Sequence, residues 1–347
     1  MKKISLVKPA LKASFVLSSA ILCLLAQPKA SMAESFRLVW STNFDAPLNS
    51  WEWNIYNNAP FGSSKNTCFM GSNTFTGNGF LHLMVTQNKY NGCSGRPYAS
   101  GALDTYTHRP NLTYGRWEVR AKMPAGYGAT GYIGLFPVNG SWPPEIDFAE
   151  YVGKDKDKLF ITQHYGTASS HQTDGVAITR TLSSAAGAKS ASKFQVSKQC
   201  KGSAKSHSYK KLVVKKGKYA SAAPMDTCNI PSQPLVTSGS KKTSSTPTSA
   251  LAALESSSYW TNSFHTYTLE WVPGQLRYYI DGTLQLTQPQ RFTATPNMMK
   301  LAIGTGTGDC GAYSWVGCPE EAASKGLPWP LPTRMRVDSI KMYEYVP

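Results

Sequence analysis

The sequence predicts an all-β protein whose strands form a sandwich or a barrel. Aromatic residues make up 12% of the chain and charged residues only 16%. Long helical periodicities are scarce, while short runs that alternate apolar and polar residues recur, for example at 81–85, 116–120 and 266–271. Such runs, separated by Gly, Pro and Asn, indicate antiparallel strands with one face in solvent. Residues 278–284 add a strand, an Asp-Gly turn and a returning strand, which is a strong hairpin signal.

The first 33 residues are predicted to be a secretory signal peptide. Four lysines and an apolar run over residues 15–26 come first, and small residues close the segment at Ala33. A basic start, an apolar centre and a small-residue cleavage site are typical of such peptides. The apolar run is too short for a membrane span, which needs about 20 residues. We therefore expect a secreted or periplasmic protein without stable membrane insertion, and one mature domain over residues 34–347.

The cysteines of the mature chain are predicted to form disulfides. An even number of cysteines in an exported protein indicates such bonds. The six that follow Ala33 are Cys68, Cys93, Cys200, Cys228, Cys310 and Cys318. Bonds between sequence neighbours are the simplest arrangement, although spacing alone leaves the connectivity open. A zinc site is the alternative, and the absence of a Cys-x-x-Cys pair argues against it.

The positive charge of the mature chain is concentrated in one segment, at about 165–260. The full chain has a formal net charge of +16, and the five lysines of the first 33 residues reduce this to +11 for the remainder. The segment has thirteen basic and three acidic residues, or +10. Because it is rich in Ser, Ala, Thr and Lys, we expect a solvated insertion without a packed core, with a short hairpin at 212–218. The alternative is a positively charged surface segment that attracts an anionic polymer. Export and the lack of interleaved aromatics argue against nucleic acid.

Three acidic residues, Glu145, Asp147 and Glu150, suggest a catalytic centre. In a strand, Glu145 and Asp147 project to one face while Ile146 points to the core. Strict alternation would send Glu150 to the other side, and a β-bulge at residues 148–149 would return it to the same face. Close carboxylates raise one pKa, and glycoside hydrolysis needs one ionised and one protonated carboxyl group. The alternative is a solvated acidic strand face without chemistry.

The segments around these acids resemble glycoside hydrolase family 16. The resemblance rests on residues 114–124, 142–153, 264–282 and 331–343. It runs from about Val39 to the C terminus without the basic segment, and it is weak between Cys310 and Cys318. Its central motif is Glu-x-Asp-x-x-Glu.

This resemblance implies a β-jelly-roll sandwich of two antiparallel sheets with a concave substrate cleft. It also implies that Glu145 is the nucleophile, Asp147 the assisting acid and Glu150 the acid/base. The form with two residues between the Asp and the second Glu is the bulged form of laminarinase-like, agarase-like and carrageenase-like members.

Four further residues are predicted to bind substrate. Trp142 matches a family Trp that lies under a bound sugar, although a core position is the alternative. Thr162 and His164 share one strand face, and the family often has a His there that contacts the sugar. Glu118 either contacts substrate or pairs with a neighbouring arginine.

No cofactor is expected to be required. Family members often bind one structural calcium on the convex side, and the resemblance makes Asp338 a candidate ligand.

The sequence therefore predicts a secreted, endo-acting, retaining glycoside hydrolase of a β-linked polysaccharide, with β-1,3-glucan favoured. One alternative is a hydrolase or transglycosylase that acts on an anionic galactan or exopolysaccharide, which the basic segment would suit. Another is a non-catalytic, glucan-binding, lectin-like module, which the retention of all three acids disfavours. The expected partner is the polysaccharide and not nucleic acid; the oligomeric state is left open.

Overall fold

Two sheets of mainly antiparallel strands build the protein, which confirms the predicted fold class. The computed structural model describes residues 34–88, 95–105, 110–182, 195–198, 247–295, 298–329 and 331–347, with only the backbone for 195–198 and 247–250. The predicted signal peptide, the predicted hairpin at 212–218, and Cys93, Cys200 and Cys228 lie outside these residues. No helix within the described ranges is long and apolar enough to span a membrane.

Strands are numbered in chain order through both sheets. The eleven-stranded sheet contains β1 (Ser35–Thr42), β3 (Ala59–Pro60), β4 (Thr67–Phe69), β5 (Thr74–Gly77), β6 (Phe80–Gln87), β7 (Tyr98–Ser100), β9 (Gly115–Lys122), β15 (His265–Val272), β16 (Gln275–Ile280), β17 (Thr283–Pro289) and β19 (Thr333–Val346). Its strand order is β17-β16-β15-β9-β19-β6-β7-β4-β3, with β1 on β19 and β5 on β6. The β4–β7 pair is parallel.

The eight-stranded sheet carries the residues of the candidate site. It contains β2 (Trp53–Ile55), β8 (Ala102–Thr105), β10 (Ala129–Pro137), β11 (Glu145–Val152), β12 (Lys158–Thr167), β13 (Ser170–Thr179), β14 (Gln195–Lys198) and β18 (Met299–Thr307). Its order is β14-β13-β12-β11-β10-β18-β8-β2. The described residues also form three short α-helices, α1 (Pro247–Glu255), α2 (Tyr259–Asn262) and α3 (Pro319–Ser324).

The core lies between the two sheets and explains which strand residues face outward. Ile133 and Ile146 of the eight-stranded sheet and Trp117 and Leu269 of the other sheet are fully buried. Since side chains alternate along a strand, the neighbours of these residues point to the opposite faces. We call the face of the eight-stranded sheet that points away from the core its outer face.

The predicted insertion at about 165–260 begins too early. Residues 170–179 form β13, which pairs along its whole length with β12, and residues 195–198 form β14, which pairs with β13. The first half of β13 is polar because it extends beyond the core, where its residues are half-buried or exposed. Composition alone therefore misassigned a regular strand to the insertion.

The sequence-neighbour disulfide Cys310–Cys318 is present, as predicted. Cys68 is also disulfide-bonded. The Cys310–Cys318 bond closes the loop between β18 and α3. Inside this loop, the carboxylate of Asp309 accepts hydrogen bonds from the backbone N–H groups of Lys65 at 2.7 Å and of Gly311 and Tyr313 at 2.9 Å each.

Candidate active site

The predicted β-bulge lies in β11 between Asp147 and Glu150. Asp147 pairs with Thr162 and Glu150 with Phe160, so three residue steps on β11 oppose two on β12. The extra residue is Phe148, because Asp147 and Ala149 pair with consecutive residues of β10. The bulge returns Glu150 to the outer face, where the other two acids already lie.

Directly opposed residues of antiparallel strands share a face, so the register defines rows across the outer face. The row through Asp147 contains Gly175, Thr162, Gly134, Ala302 and Asp104. The row through Glu150 contains Ala177, Phe160, Tyr132 and Gly304. Four of the predicted site residues, Thr162, His164, Glu145 and Asp147, are therefore neighbours on β11 and β12.

Two glycines leave the space that the acidic side chains and Tyr132 occupy. A Cβ atom at Gly134 would lie 2.6 Å from Oδ1 of Asp147. A Cβ atom at Gly304 would lie 2.4 Å from the hydroxyl oxygen of Tyr132. Real Cβ atoms do not approach other atoms this closely, so glycine is required at both positions for the observed packing.

Glu145 is held by hydrogen bonds on two sides. The indole Nε1–H of Trp142 donates to Oε2 of Glu145 at 2.5 Å. Asp147 forms a side-chain hydrogen bond with Glu145. Nε2 of His164 lies 3.2 Å from Oδ2 of Asp147, which is only 4% exposed. Glu145, Asp147 and His164 thus form one connected polar network, and the charge of Asp147 acts on the nearby Glu150.

Burial and mutual repulsion change the protonation of this network. Burial first, and then the charge of Asp147, raise the pKa of Glu145 and of Glu150 above the usual range of a glutamate. Burial opposes the charging of His164, but Glu145, Asp147 and Glu150 outweigh it and raise the His164 pKa to about 9. A cationic His164 stabilises one ionised glutamate while the other keeps its proton, since the carboxyl groups titrate as a coupled set.

His171 is part of this network and was missed by sequence reasoning. Its Nε2 lies 2.9 Å from Nδ1 of His164, and the two ring planes differ by 10°. The ring of Trp142 packs on His171 with centroids 4.6 Å apart. His171 pairs with Gly166 across the β12–β13 hairpin, so only the hairpin register could have revealed this contact.

A second polar cluster on the outer face was also missed. Asp104 is 1% exposed, and its carboxylate accepts hydrogen bonds from Lys300 Nζ at 2.5 Å and from the Tyr56 hydroxyl at 2.6 Å. The side-chain amide of Asn54 adds a longer contact at 3.4 Å. This buried carboxylate fixes the positions of the Lys300 and Tyr56 side chains.

A cavity lies on the other side of the acids, next to Glu150. Its walls include Phe160, Thr162, Lys158 and Trp315. Trp315 belongs to the disulfide-closed loop and is 43% exposed, although it is a large aromatic residue. Lys158 is paired with Asp155 at 3.4 Å, which reduces the net positive charge of the wall.

Of the two alternatives predicted for Glu118, substrate contact or pairing with an arginine, the structure shows the arginine pair. Glu118 lies on β9 of the eleven-stranded sheet, on the side opposite the buried Trp117. Its carboxylate pairs with Arg116 at 2.7 Å and accepts a hydrogen bond from the Tyr343 hydroxyl at 3.3 Å. The alternation of side chains correctly places Glu118 on the side of the strand opposite Trp117. It contains no information about which of the two sheets the strand joins.

A calcium site at Asp338 stays a prediction, and Asp338 is paired with an arginine in this structure. Oδ2 of Asp338 lies 3.0 Å from a guanidinium nitrogen of Arg120, which already neutralises the carboxylate. Among the described residues, Glu145, Asp147 and His164 bring three ligand atoms within 4.8 Å of one another, but these groups hydrogen-bond to each other. A second group contains both cysteines of the disulfide, which have no thiolate to offer.

The family model of glycosyl hydrolases family 16 matches residues 62–197 and 239–322, which is more than half of the chain. A β-glucanase of Rhodothermus marinus is 30% identical over 168 residues, which is 44% of this chain and 57% of that protein. An endo-1,3-1,4-β-glycanase of Rhizobium meliloti is 42% identical over 71 residues, 20% of this chain. The chain thus covers 57% of the length of the Rhodothermus protein and only 15% of the length of the Rhizobium protein.

Solved structures agree with the fold. The catalytic domain of an endo-1,3-β-glucanase (laminarinase) from Thermotoga petrophila superimposes with a TM-score of 0.58 at 20% identity, covering 90% of this chain and 98% of that domain. The laminarinase of Rhodothermus marinus gives a TM-score of 0.55 at 20% identity, covering 91% and 100%. At this identity the likeness concerns the fold alone, and the family match decides the assignment. The chain belongs to glycosyl hydrolases family 16.

Proposed function

We propose that the protein is a secreted, endo-acting β-glucanase that cleaves β-1,3-glucan with retention of configuration. The observation that carries this proposal is the bulge in β11, which brings Glu145, Asp147 and Glu150 to one face of the sheet. The named β-glucanase and laminarinase relatives support the choice of glucan. Export rests on the sequence of residues 1–33, and N-terminal sequencing of the mature protein tests it.

In the first step, the carboxylate of Glu145 attacks the anomeric carbon while Glu150 gives its proton to the leaving glycosidic oxygen. This forms a covalent glycosyl-enzyme and releases the reducing-end fragment. Both glutamates have a raised pKa, and because they titrate as a coupled pair, one can keep its proton while the other is ionised, as this step requires. The indole N–H of Trp142 donates a hydrogen bond to the Glu145 carboxylate and orients it for attack.

In the second step, the ionised Glu150 takes a proton from water, and the resulting hydroxide attacks the same carbon from the face that the leaving group left. The ester bond to Glu145 breaks, and both glutamates return to their initial states. The two inversions together retain the configuration. A sugar hydroxyl in place of water would give transglycosylation at the same site.

The test compares laminarin, mixed-linkage glucan, agarose and carrageenan as substrates for the purified protein. We expect new reducing ends and early shortening of the chains with laminarin. Glu145→Gln should abolish cleavage and leave the fold intact, while the matched control Glu118→Gln should keep wild-type activity because Glu118 lies on the other sheet. Cleavage of carrageenan alone, which is a sulfated galactan, would favour the anionic galactan alternative. Glucan binding without any cleavage would favour the lectin-like module.

A further inference from the structure

His171 occupies a defined position at the edge of the carboxylate network. It lies at the beginning of β13, four residues after the end of β12, in a hairpin whose terminal pair is Thr167 and Ser170. This short loop fixes β13 against β12. The side chain of His171 therefore reaches His164 from an ordered strand rather than from a long flexible loop.

The contacts of His164 leave only two possible proton arrangements. Its Nε2 faces the carboxylate of Asp147 at 3.2 Å, so a proton on Nε2 is favoured. Its Nδ1 faces Nε2 of His171 at 2.9 Å, a distance at which one of the two nitrogens must donate and the other accept. Either a neutral His164 accepts from His171, or a cationic His164 donates to it.

The charges around the pair favour the second arrangement. His164 faces Glu145, Asp147 and Glu150 of β11, and these carboxylates raise its pKa despite its burial. Burial first, and then the charge of His164, lower the pKa of His171, so the second ring stays neutral.

Among the described residues, the other titratable or charged groups near the network do not change this arrangement. Tyr132 of β10 has a raised pKa through desolvation and the neighbouring acids, and it therefore stays neutral. Arg291 is paired with Asp174 at 3.1 Å, so this cation is already neutralised. Trp142 packs against both histidine rings but offers only an N–H donor, which is directed at Glu145.

We propose that His171 is a positioning residue for the catalytic acids, because it accepts the Nδ1 proton of His164 and holds that ring against Asp147 in its doubly protonated form. Without this acceptor, the His164 cation has a half-buried N–H group with no partner in the observed geometry. His164 then loses its proton more easily. The positive charge beside Glu145 and Asp147 disappears, and the nucleophile ionises only at higher pH.

Two substitutions test separately the hydrogen-bond acceptor and the aromatic ring of His171. His171→Phe keeps an aromatic ring against Trp142 but removes the acceptor, whereas His171→Gln loses the ring but keeps an acceptor oxygen. In His171→Phe, we expect the acidic limb of the kcat/KM profile to move to higher pH by about one unit. His171→Gln should restore most of this shift. Equal pH profiles in the two variants would overturn the proposal.

Nitrogen NMR of the imidazole rings tests the proton positions without any substrate. In the wild type near pH 7, we expect both nitrogens of His164 to be protonated and Nε2 of His171 to be unprotonated. His171→Phe should lower the His164 pKa by about one unit, while His82, on the other sheet, serves as an unchanged reference. A proton on Nε2 of His171 in the wild type would overturn the proposal even if His171→Phe failed to fold.

The kinetic part of this proposal rests on the proposed glucanase activity, whereas the proton positions do not. A wild-type protein that cleaves no glucan would contradict the proposed function and leave the NMR result to decide the role of His171. An active enzyme with an unchanged His164 pKa in His171→Phe would contradict the positioning role alone.

Discussion

Gly134 offers a test of how tightly the assisting acid is positioned. A Cβ atom at this residue would lie 2.6 Å from Oδ1 of Asp147, 3.1 Å from the ring of Phe136 and 3.3 Å from the carbonyl oxygen of Ile146. Ordinary contact begins near 3.4 Å, so the Asp147 carboxylate must retreat by about 0.8 Å in Gly134→Ala. A hydrogen bond between oxygens spans only about 2.5–3.0 Å, so a displacement of this size disturbs the hydrogen bond between Asp147 and Glu145.

Misplacement of a catalytic group by about 1 Å can cost about a hundredfold in rate, so we expect kcat to fall by about tenfold to a hundredfold. The added methyl group also costs about 1–3 kcal/mol of folding stability, because the site is closely packed. The assay is the initial rate of reducing-end release from laminarin, measured together with the midpoint of thermal unfolding.

Gly131→Ala on the same strand is the matched control. Its Cβ would meet Pro124 at 2.7 Å and the sulfur atoms of Met123 and Met335 at 3.2 Å, all away from the acids. We expect a comparable loss of stability with little change in kcat. A folded Gly134→Ala enzyme with wild-type kcat, or an equal loss of kcat in Gly131→Ala, would refute the steric argument.

Three further outcomes are expected. Activity should fall as the pH rises through the raised pKa of the coupled glutamates, because the acid loses the proton it must donate; a rate that is constant from neutral to strongly alkaline pH would contradict this. Trp315→Ala should lower kcat/KM on laminarin about threefold to tenfold, through loss of an aromatic surface beside Glu150, while the exposed Phe75→Ala on the other sheet should have no effect. Replacing both Cys310 and Cys318 by Ser should cost about 2–3 kcal/mol of stability, measured by denaturant unfolding, because the bond closes a loop with a sequence separation of 8.

The spacing of the acids was sufficient to predict the bulge. Glu145 and Glu150 are an odd number of positions apart, and only an extra residue allows both to face the same side of a strand. The all-β class followed from the alternating runs in the same way, because period-two patterns depend on local geometry alone. Both features are encoded within a few consecutive residues.

The features that the sequence did not predict depend on how strands are arranged in space. The choice between two roles for Glu118 stayed open because alternation cannot say which sheet β9 joins. His171 and the Asp104–Lys300 pair were missed because their contacts arise from hairpin register and from the order of strands across the sheet. The start of the insertion was misplaced because β13 has a polar composition where it extends past the core.

The assignment of the two glutamates is tested most directly by azide rescue of their alanine variants on an activated aryl β-glucoside of a laminari-oligosaccharide. In Glu150→Ala, the nucleophile still forms the covalent intermediate, so we expect azide to restore activity and give the β-glycosyl azide. In Glu145→Ala, azide replaces the nucleophile directly and should give the α-glycosyl azide. The opposite pattern would exchange the two roles, and a β-azide from both variants would contradict Glu145 as the nucleophile.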